Sequence, residues 1–298
     1  MGYTIPNNYF FYWTGQDFQY VNYLCIASLL KTNKVEKCEI YYEEAPIKND
    51  YWDSLKKINK IRLVKLDYDE LFREARIKKE NFDDFFLKAT TNHKTDLFRY
   101  LILYCYGGLY LDFDTISIKD FEPLLRTEFF IAFQLYHDHG KDKMNGAVMG
   151  SVERSPIIKM CLDRVMVIPK TKEKFDWATV GPEMLTQLLY PKSYFSKIII
   201  KILEYLDRFH LNNIRLVTLL NRLIRTRKLN YQIYPKSFFY LYYSKEWKKL
   251  FQQNSLPRDV FLLHLWNARS NKFTKKIDEA YIKNDDSLYA CIAKKTAR

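Results

Sequence analysis

Asp112-Phe113-Asp114 closes a stretch, Thr95–Thr115, that reads TDLFRYLILYCYGGLYLDFDT. Carboxylates at i and i+2 of an extended segment point to one side. Two hard oxygen donors side by side suit a divalent cation that also holds phosphates. A solvated loop with two acids shows the same D-x-D pattern, so the motif gains meaning only from what precedes it. An amphipathic helix is expected over Asn92–Tyr106, with Thr91 or Asn92 as its N-cap. Gly107 is a natural residue to end it, and Leu109–Leu111 follows as a buried strand. Asp96 and Arg99 lie three apart on one face of that helix. Taken alone they would form a simple intrahelical ion pair.

The elements around this block alternate. Strands are expected at Tyr9–Thr14 (closed by Gly15), Cys38–Tyr42 and Ile61–Leu66, with helices at Asp17–Thr32, Tyr51–Asn59 and Tyr68–Ala75 between and after them. Such alternation implies a parallel sheet flanked by helices, with ligands beyond the carboxyl ends of its strands. Phe129–Gln134 and Ala147–Gly150 read as further strands joined by a polar loop, Tyr136–Asn145. Ser155–Val167 and Asp176–Leu189 read as helices. Strands resume at Tyr231–Tyr234 and Val260–Leu265, and a terminal helix covers Ile277–Ala293.

Thr95, Asp96, Arg99, Tyr100, Leu103, Tyr104, Gly107, Gly108, Tyr110, Asp112 and Asp114 form one ordered pattern. It resembles the sugar-binding, DXD-containing region of glycosyltransferase family 32, which includes mannosyltransferases and α-1,4-galactosyltransferases. A similar block occurs in the large clostridial glucosylating toxins. Tyr12-Trp13-Thr14-Gly15 ends the first strand, where these families place an aromatic, here Trp13, against the nucleotide base; a core aromatic is the alternative. Asn145-Gly146 followed later by Ser155-Pro156 looks like the family's segment near the donor sugar. Val180-Gly181-Pro182-Glu183-Met184-Leu185-Thr186 is similar to its G-P-x-x-L-T element, and His264-Leu265-Trp266-Asn267 to its C-terminal H-x-W motif.

The resemblance implies a GT-A-type α/β fold: a single Rossmann-like nucleotide-binding domain over residues 1–298, with 192–229 as a basic helical insertion. It implies Asp114 as a direct metal ligand and Asp112 as a second, directly or through water, with His264 as the third. A lone histidine beside an apolar strand also reads as a core residue. Oxygen-rich ligation with one imidazole suits Mn²⁺, with Mg²⁺ the alternative. A metal bridging the donor's phosphates stabilises charge as the glycosidic bond breaks. Asp96 and Arg99 would hold the donor sugar's hydroxyls through charge-assisted bonds. Tyr12, Trp13, Thr14, Tyr100, Asp112, Asn145, Gly146, Gly181, Pro182, Trp266, Asn267 and Ser270 complete the candidate nucleotide-sugar site. The resemblance also implies retention of anomeric configuration. Glu183, the carboxylate of the G-P element, is a candidate nucleophile or acceptor-binding group; a helix-start Glu favoured by the macrodipole is the plain alternative. His137-Asp138-His139 looks like a metal cluster but lacks a fourth spaced ligand, and an acceptor-loop role is open to it.

Composition bounds the function. The chain has 298 residues, 48% hydrophobic and 17% aromatic, which supports a sizeable core and excludes global disorder. Its net charge is +13, and the segment Lys192–Lys249 alone holds thirteen Lys/Arg against three Asp/Glu. Within it, Ile198, Ile199, Ile202, Leu203, Leu206, Phe209, Leu216, Leu219, Leu220 and Leu223 fall on helical faces among Lys197, Lys201, Arg208, Arg215, Arg222, Arg225 and Arg227. That composition suits helices on an anionic membrane surface, and equally a packed hairpin with a solvated basic rim. No nucleic-acid motif accompanies it, so a nucleic-acid partner is not expected. Five scattered cysteines (Cys25, Cys38, Cys105, Cys161 and Cys291) read as free thiols in a reducing compartment. No signal peptide or spanning segment is expected, which suggests a cytoplasmic, peripherally membrane-bound protein.

Together these features lead to a metal-dependent retaining glycosyltransferase that uses a nucleotide-sugar, with a UDP-sugar favoured. Its expected acceptor is a glycan or lipid-linked glycan of the capsule or lipopolysaccharide kind. The rival readings are a non-catalytic glycan- or membrane-binding protein on the same fold, and a toxin that glycosylates a protein.

Overall fold

The computed structural model describes residues 4–138, 141–190, 193–224 and 230–296. Its strands are β1 (Asn8–Trp13), β2 (Lys37–Tyr42), β3 (Ile61–Lys65), β4 (Gly108–Leu111), β5 (Thr115–Ser117), β6 (Phe129–Asp138), β7 (Lys141–Ser151), β8 (Tyr231–Tyr234) and β9 (Leu262–His264). Seven form one sheet in the order β3-β2-β1-β4-β7-β6-β8, and β5 pairs with β9 in a second.

From β3 to β4 the sheet is parallel, as the alternating pattern predicts. β7 then runs antiparallel to both β4 and β6, and β8 returns parallel to β6. The parallel half has the arrangement expected of a GT-A-type α/β fold, and the middle residues of β1 and all of β4 are apolar or glycine. β1 (NYFFYW) is buried on both faces over its four middle residues. β2 has the same burial but contains Glu39, whose carboxylate is met by Lys37 at 3.1 Å and Arg62 at 3.4 Å.

The helix Thr91–Tyr106 begins one residue before the range expected for it. Its N-cap is Thr90, which shares a reciprocal capping box with His93. His93 takes the place usual for Glu or Gln, so the cap was hard to see in sequence. The helix ends at Gly107 (φ 60), and Gly108 (φ 109) starts β4. A Cβ on Gly108 would stand 2.4 Å from the Asn8 carbonyl oxygen. Helix and strand can therefore join at this angle only through glycine.

Other departures have local causes. Within the expected polar loop, Tyr136–Asp138 belong to β6 and Lys141–Asn145 to β7, because two long antiparallel strands satisfy their hydrogen bonds whatever their side chains. The side chains of His137 and Asp138, and all of His139, lie outside the described residues. The Asp176–Leu189 helix is confined to Pro182–Leu189, because Asp176 accepts bonds from Ala178 and Thr179 and makes a turn instead. The terminal helix is two, Glu279–Asn284 and Leu288–Thr296, separated by Asp285, whose carboxylate accepts the Ser287 amide. Asn267–Thr274 forms a helix that periodicity did not reveal.

The basic segment contains two helices, Tyr194–Arg208 and Ile214–Ile224. The second is fastened to the sheet edge by Asn221, which donates to the Ile233 carbonyl and accepts the Ile233 amide. Arg225, Arg227 and Lys192 lie outside the described residues. The five cysteines are unpaired. No described helix is long and apolar enough to cross a membrane.

Candidate active site

Two pairings bring the D-x-D carboxylates to His264. Asp112 continues the β4–β7 ladder, its amide donating to the Ala147 carbonyl at 2.8 Å. The chain then bends through Phe113 and Asp114 and enters β5, where Thr115 lies opposite His264 of β9. That register places Asp114 beside the residues that follow His264. The Leu265 amide donates to the Asp114 carbonyl at 2.7 Å, and the Asn267 amide to Asp114 Oδ2 at 2.6 Å. Trp266 allows the second bond by adopting a left-handed conformation (φ 58, ψ 54), unusual for a bulky residue. The carboxylates therefore meet through this bend and the small sheet, not through the extended strand expected from the i, i+2 spacing.

The result is a group of three ligand atoms, one each from Asp112, Asp114 and His264, all within 4.8 Å of one another. His264 Nε2 lies 3.4 Å from Asp114 and 3.9 Å from Asp112. Its Nδ1 accepts the Trp266 amide at 3.1 Å. The Trp266 and Tyr240 rings pack against the imidazole and fix its plane.

Charge is crowded here. Burial pushes the Asp112 carboxyl up, but Arg99, His264 and the Tyr110 hydroxyl outweigh it and hold it at about 2. Asp114 is raised by burial and by the charge of Asp112, despite His264. Burial alone would lower His264, but Asp114 and Asp112 raise it. Asp96 is raised to about 6 by burial, against the pull of Arg99. Three carboxylates thus face one guanidinium and one imidazole. A neutral imidazole leaves an excess of negative charge, and that donor set fits a divalent cation.

Beside this group, Arg99 lies 3.2 Å from Asp96 and 3.4 Å from Asp112, over the ring of Tyr110. Tyr110 donates to Asp112 Oδ1 at 2.8 Å. The pair is walled in by two glycines. A Cβ on Gly146 would stand 2.3 Å from the Arg99 guanidinium, and one on Gly181 2.7 Å from the Asp96 carboxylate.

These residues line a cleft of about 580 Å³ beyond the carboxyl ends of β1 and β4. Residues 19–131 match the glycosyltransferase sugar-binding region containing a DXD motif, and residues 215–296 match the alpha 1,4-glycosyltransferase conserved region. The chain is a glycosyltransferase. The first match ends after the D-x-D block and the second spans His264. The second also begins within the Ile214–Ile224 helix, so that helix belongs to the matched region.

Among solved structures, the enzyme is similar to the PaToxG glycosyltransferase, at 17% identity over 76% of this chain and 81% of that one, with a TM-score of 0.47. It is also similar to the glycosyltransferase GlyE of Streptococcus pneumoniae TIGR4, at 15% identity over 98% of this chain and 63% of that one, with a TM-score of 0.42. The galactosyltransferase LgtC, solved with donor and acceptor sugar analogues, matches at 14% identity over 76% of this chain and 86% of that one, with a TM-score of 0.39.

Of the residues singled out in sequence, Tyr12, Trp13, Thr14, Asp96, Arg99, Asp112, Asp114, Asn145, Pro182, His264, Trp266 and Asn267 line the cleft together. Trp13 is held edge-on by Phe18 and Phe113, and its indole donates to the Gly15 carbonyl at 2.8 Å. Gly146 and Gly181 act from behind, through their close approach to Arg99 and Asp96. Tyr100 is fully buried and donates to the Val180 carbonyl at 2.9 Å, which ties the G-P element to the helix rather than reaching the cleft. Ser270 is buried and does not line it. Glu183 also lies outside the cleft, paired with Lys172 at 3.2 Å and accepting from Gln187, because the first turn of its helix turns that side chain to solvent.

Sequence reasoning missed Gln134, Tyr240 and Trp177. Gln134 accepts from Asn145 at 2.8 Å. Tyr240 donates to the Asn145 carbonyl at 3.3 Å. Trp177 lines the cleft mouth and is 60% exposed. An isolated polar turn (Asp176–Thr179) carrying a tryptophan was the available signal.

Proposed function

We propose that the enzyme moves a sugar from a nucleotide-sugar, with a UDP-sugar favoured, to a glycan acceptor with retention of anomeric configuration. Asp112, Asp114 and His264 would hold a divalent cation, Mn²⁺ or Mg²⁺. When bound, that cation supplies a Lewis acid for the phosphates of the departing nucleoside diphosphate. The observation that carries the reading is the convergence of these three side chains within 4.8 Å, beside the buried Asp96–Arg99 pair.

The chain's own residues do the rest. Trp13 offers its face to the base at the end of β1. Asp96 and Arg99 accept from and donate to sugar hydroxyls, and their burial makes each bond strong. Gly146 and Gly181 fix the pair in place. Asn145, held by Gln134, Tyr240 and the Ala147 amide, lines the cleft wall.

Among the described residues, the carboxylates lining the cleft are Asp96, Asp112 and Asp114. Asp96 is paired with Arg99, and the other two serve the cation. No further cleft carboxylate is left to form a covalent glycosyl intermediate. This favours attack of the acceptor hydroxyl from the leaving-group face. The acceptor C–O bond forms as the bond to the diphosphate breaks, and the acceptor proton passes to a departing phosphate oxygen. Trp177, at the mouth, gives an acceptor ring a stacking platform.

The acceptor we favour is a lipid-linked glycan of the capsule or lipopolysaccharide kind. The test is proton NMR of the first product formed from a panel of α-linked nucleotide-sugars. An α-linked product is expected. A β-linked product would overturn retention, and release of nucleotide from no donor would overturn the transferase chemistry proposed for this cleft.

A further inference from the structure

Large apolar side chains on the surface are normally scattered. Here they are gathered: of fifteen exposed ones among the described residues, ten lie between Tyr194 and Leu223. Their spacing is regular. On the helix Tyr194–Arg208, Phe195, Ile198, Ile202 and Tyr205 recur at intervals of three and four, a single outward stripe. Ile199, Ile200 and Leu203 on the opposite face are buried. The helix Ile214–Ile224 repeats the arrangement, with Leu216, Leu219 and Leu223 outward and Val217, Leu220 and Ile224 inward. Each helix therefore has two apolar faces, of which the fold uses one.

A row of cations runs between the faces. Lys197 and Lys201 on the first helix, and Arg215 and Arg222 on the second, are all exposed, and among the described residues none of the four makes an ion pair. Each lies about 100° around its helix from the apolar stripe, by the 3.6-residue period. The acids of this segment are Glu204, paired with Arg208 at 3.7 Å, and Asp207, which is buried and bonded to Asn212 and Ser237. The outward surface is thus apolar with a positive border.

We infer that this helical pair docks the enzyme on an anionic lipid bilayer, with the Phe195–Tyr205 and Leu216–Leu223 stripes entering the acyl boundary and the cations meeting phosphate headgroups. Charge complementarity selects this occupant. Interfacial helices have this division into apolar stripe and Lys/Arg flank. A second copy meeting the same face about a two-fold axis would set one basic row against another. The inference does not rest on the donor or metal reading, and its test does not use them.

The experiment is flotation of the intact chain with phosphatidylcholine vesicles, and with vesicles containing about a third phosphatidylglycerol. The protein is expected to float with the second kind only, less so as salt rises. The triple variant F195S/I202S/L219S should lower the partition coefficient about tenfold or more. K197Q/K201Q/R215Q should lower it about fivefold per charge removed. Both variants should keep the wild-type circular dichroism and donor hydrolysis. Absence of flotation with anionic vesicles would overturn the inference, as would serine variants that float like wild type. A wild-type dimer converted to monomer by the serine substitutions, with flotation unchanged, would instead assign the face to a second copy.

Discussion

Asp114 illustrates how tightly each group at the site is specified. Its carbonyl accepts from Leu265, its carboxylate accepts from Asn267, and the imidazole of His264 lies 3.4 Å away. Asp114→Asn keeps that shape but removes a ligand charge, so donor hydrolysis should fall about 10²-fold or more while the melting temperature holds. Asp96 has a different sensitivity. Burial raises its carboxyl from an ordinary 3.8 to about 6. Between these values the folded protein holds a proton that the unfolded chain has lost, so Asp96 lowers stability as pH rises through that window. Binding works in the opposite direction, because the ionised carboxylate is the form that accepts from sugar hydroxyls. Donor affinity should therefore weaken as pH falls below about 6, and a pH profile of Asp96→Asn should lose that limb. On the proposed function, Trp177 serves the acceptor. Trp177→Ala should raise the acceptor KM about tenfold, with donor hydrolysis unchanged; equal loss of both would place it against the donor.

At the scale of elements, the fit between helix, strand and loop depends on missing side chains. Gly146→Ala would press a methyl onto Arg99, whose guanidinium lies 2.3 Å from the position it would take. We expect a loss of about 1–3 kcal/mol in a denaturant titration, together with a lower kcat, because Arg99 must shift. Gly-Gly before β4 and the long patterned block were plain in the sequence, since glycine at a helix end and alternating apolar runs have one physical meaning each. Of the small second sheet, β9 lies within the expected Val260–Leu265 strand, but β5 and its pairing with β9 were not legible. Three-residue strands carry no period, yet their register is what sets Asp114 against His264. The left-handed Trp266 was equally invisible, as nothing in its residue type asks for positive φ. Glu183 misled for a simpler reason: its place in a recognisable motif said nothing about which way its helix turns it.

At the scale of the molecule, the cleft lies where β1 and β4 end, and the antiparallel β7 contributes Asn145 to its lining, with Gly146 behind Arg99. Alternation in the first half of the sequence made that parallel half readable. The reversal at β7 was not, because strand direction is set by connections and pairing rather than by residue pattern. Net charge is uneven too: the two described helices at the β8 edge carry five Lys/Arg against two acids. The acids of the D-x-D motif, with His264, make the proposed donor site cation-dependent. The most direct test is hydrolysis of a UDP-, GDP- and CMP-sugar panel with Mn²⁺ and after chelation, in the wild type and in His264→Ala. Release is expected from one donor; chelation should abolish it, and His264→Ala should reduce it by about 10²-fold or more, with added Mn²⁺ restoring part of it. Release that is indifferent to both chelation and the His264 substitution would contradict a cation-dependent site.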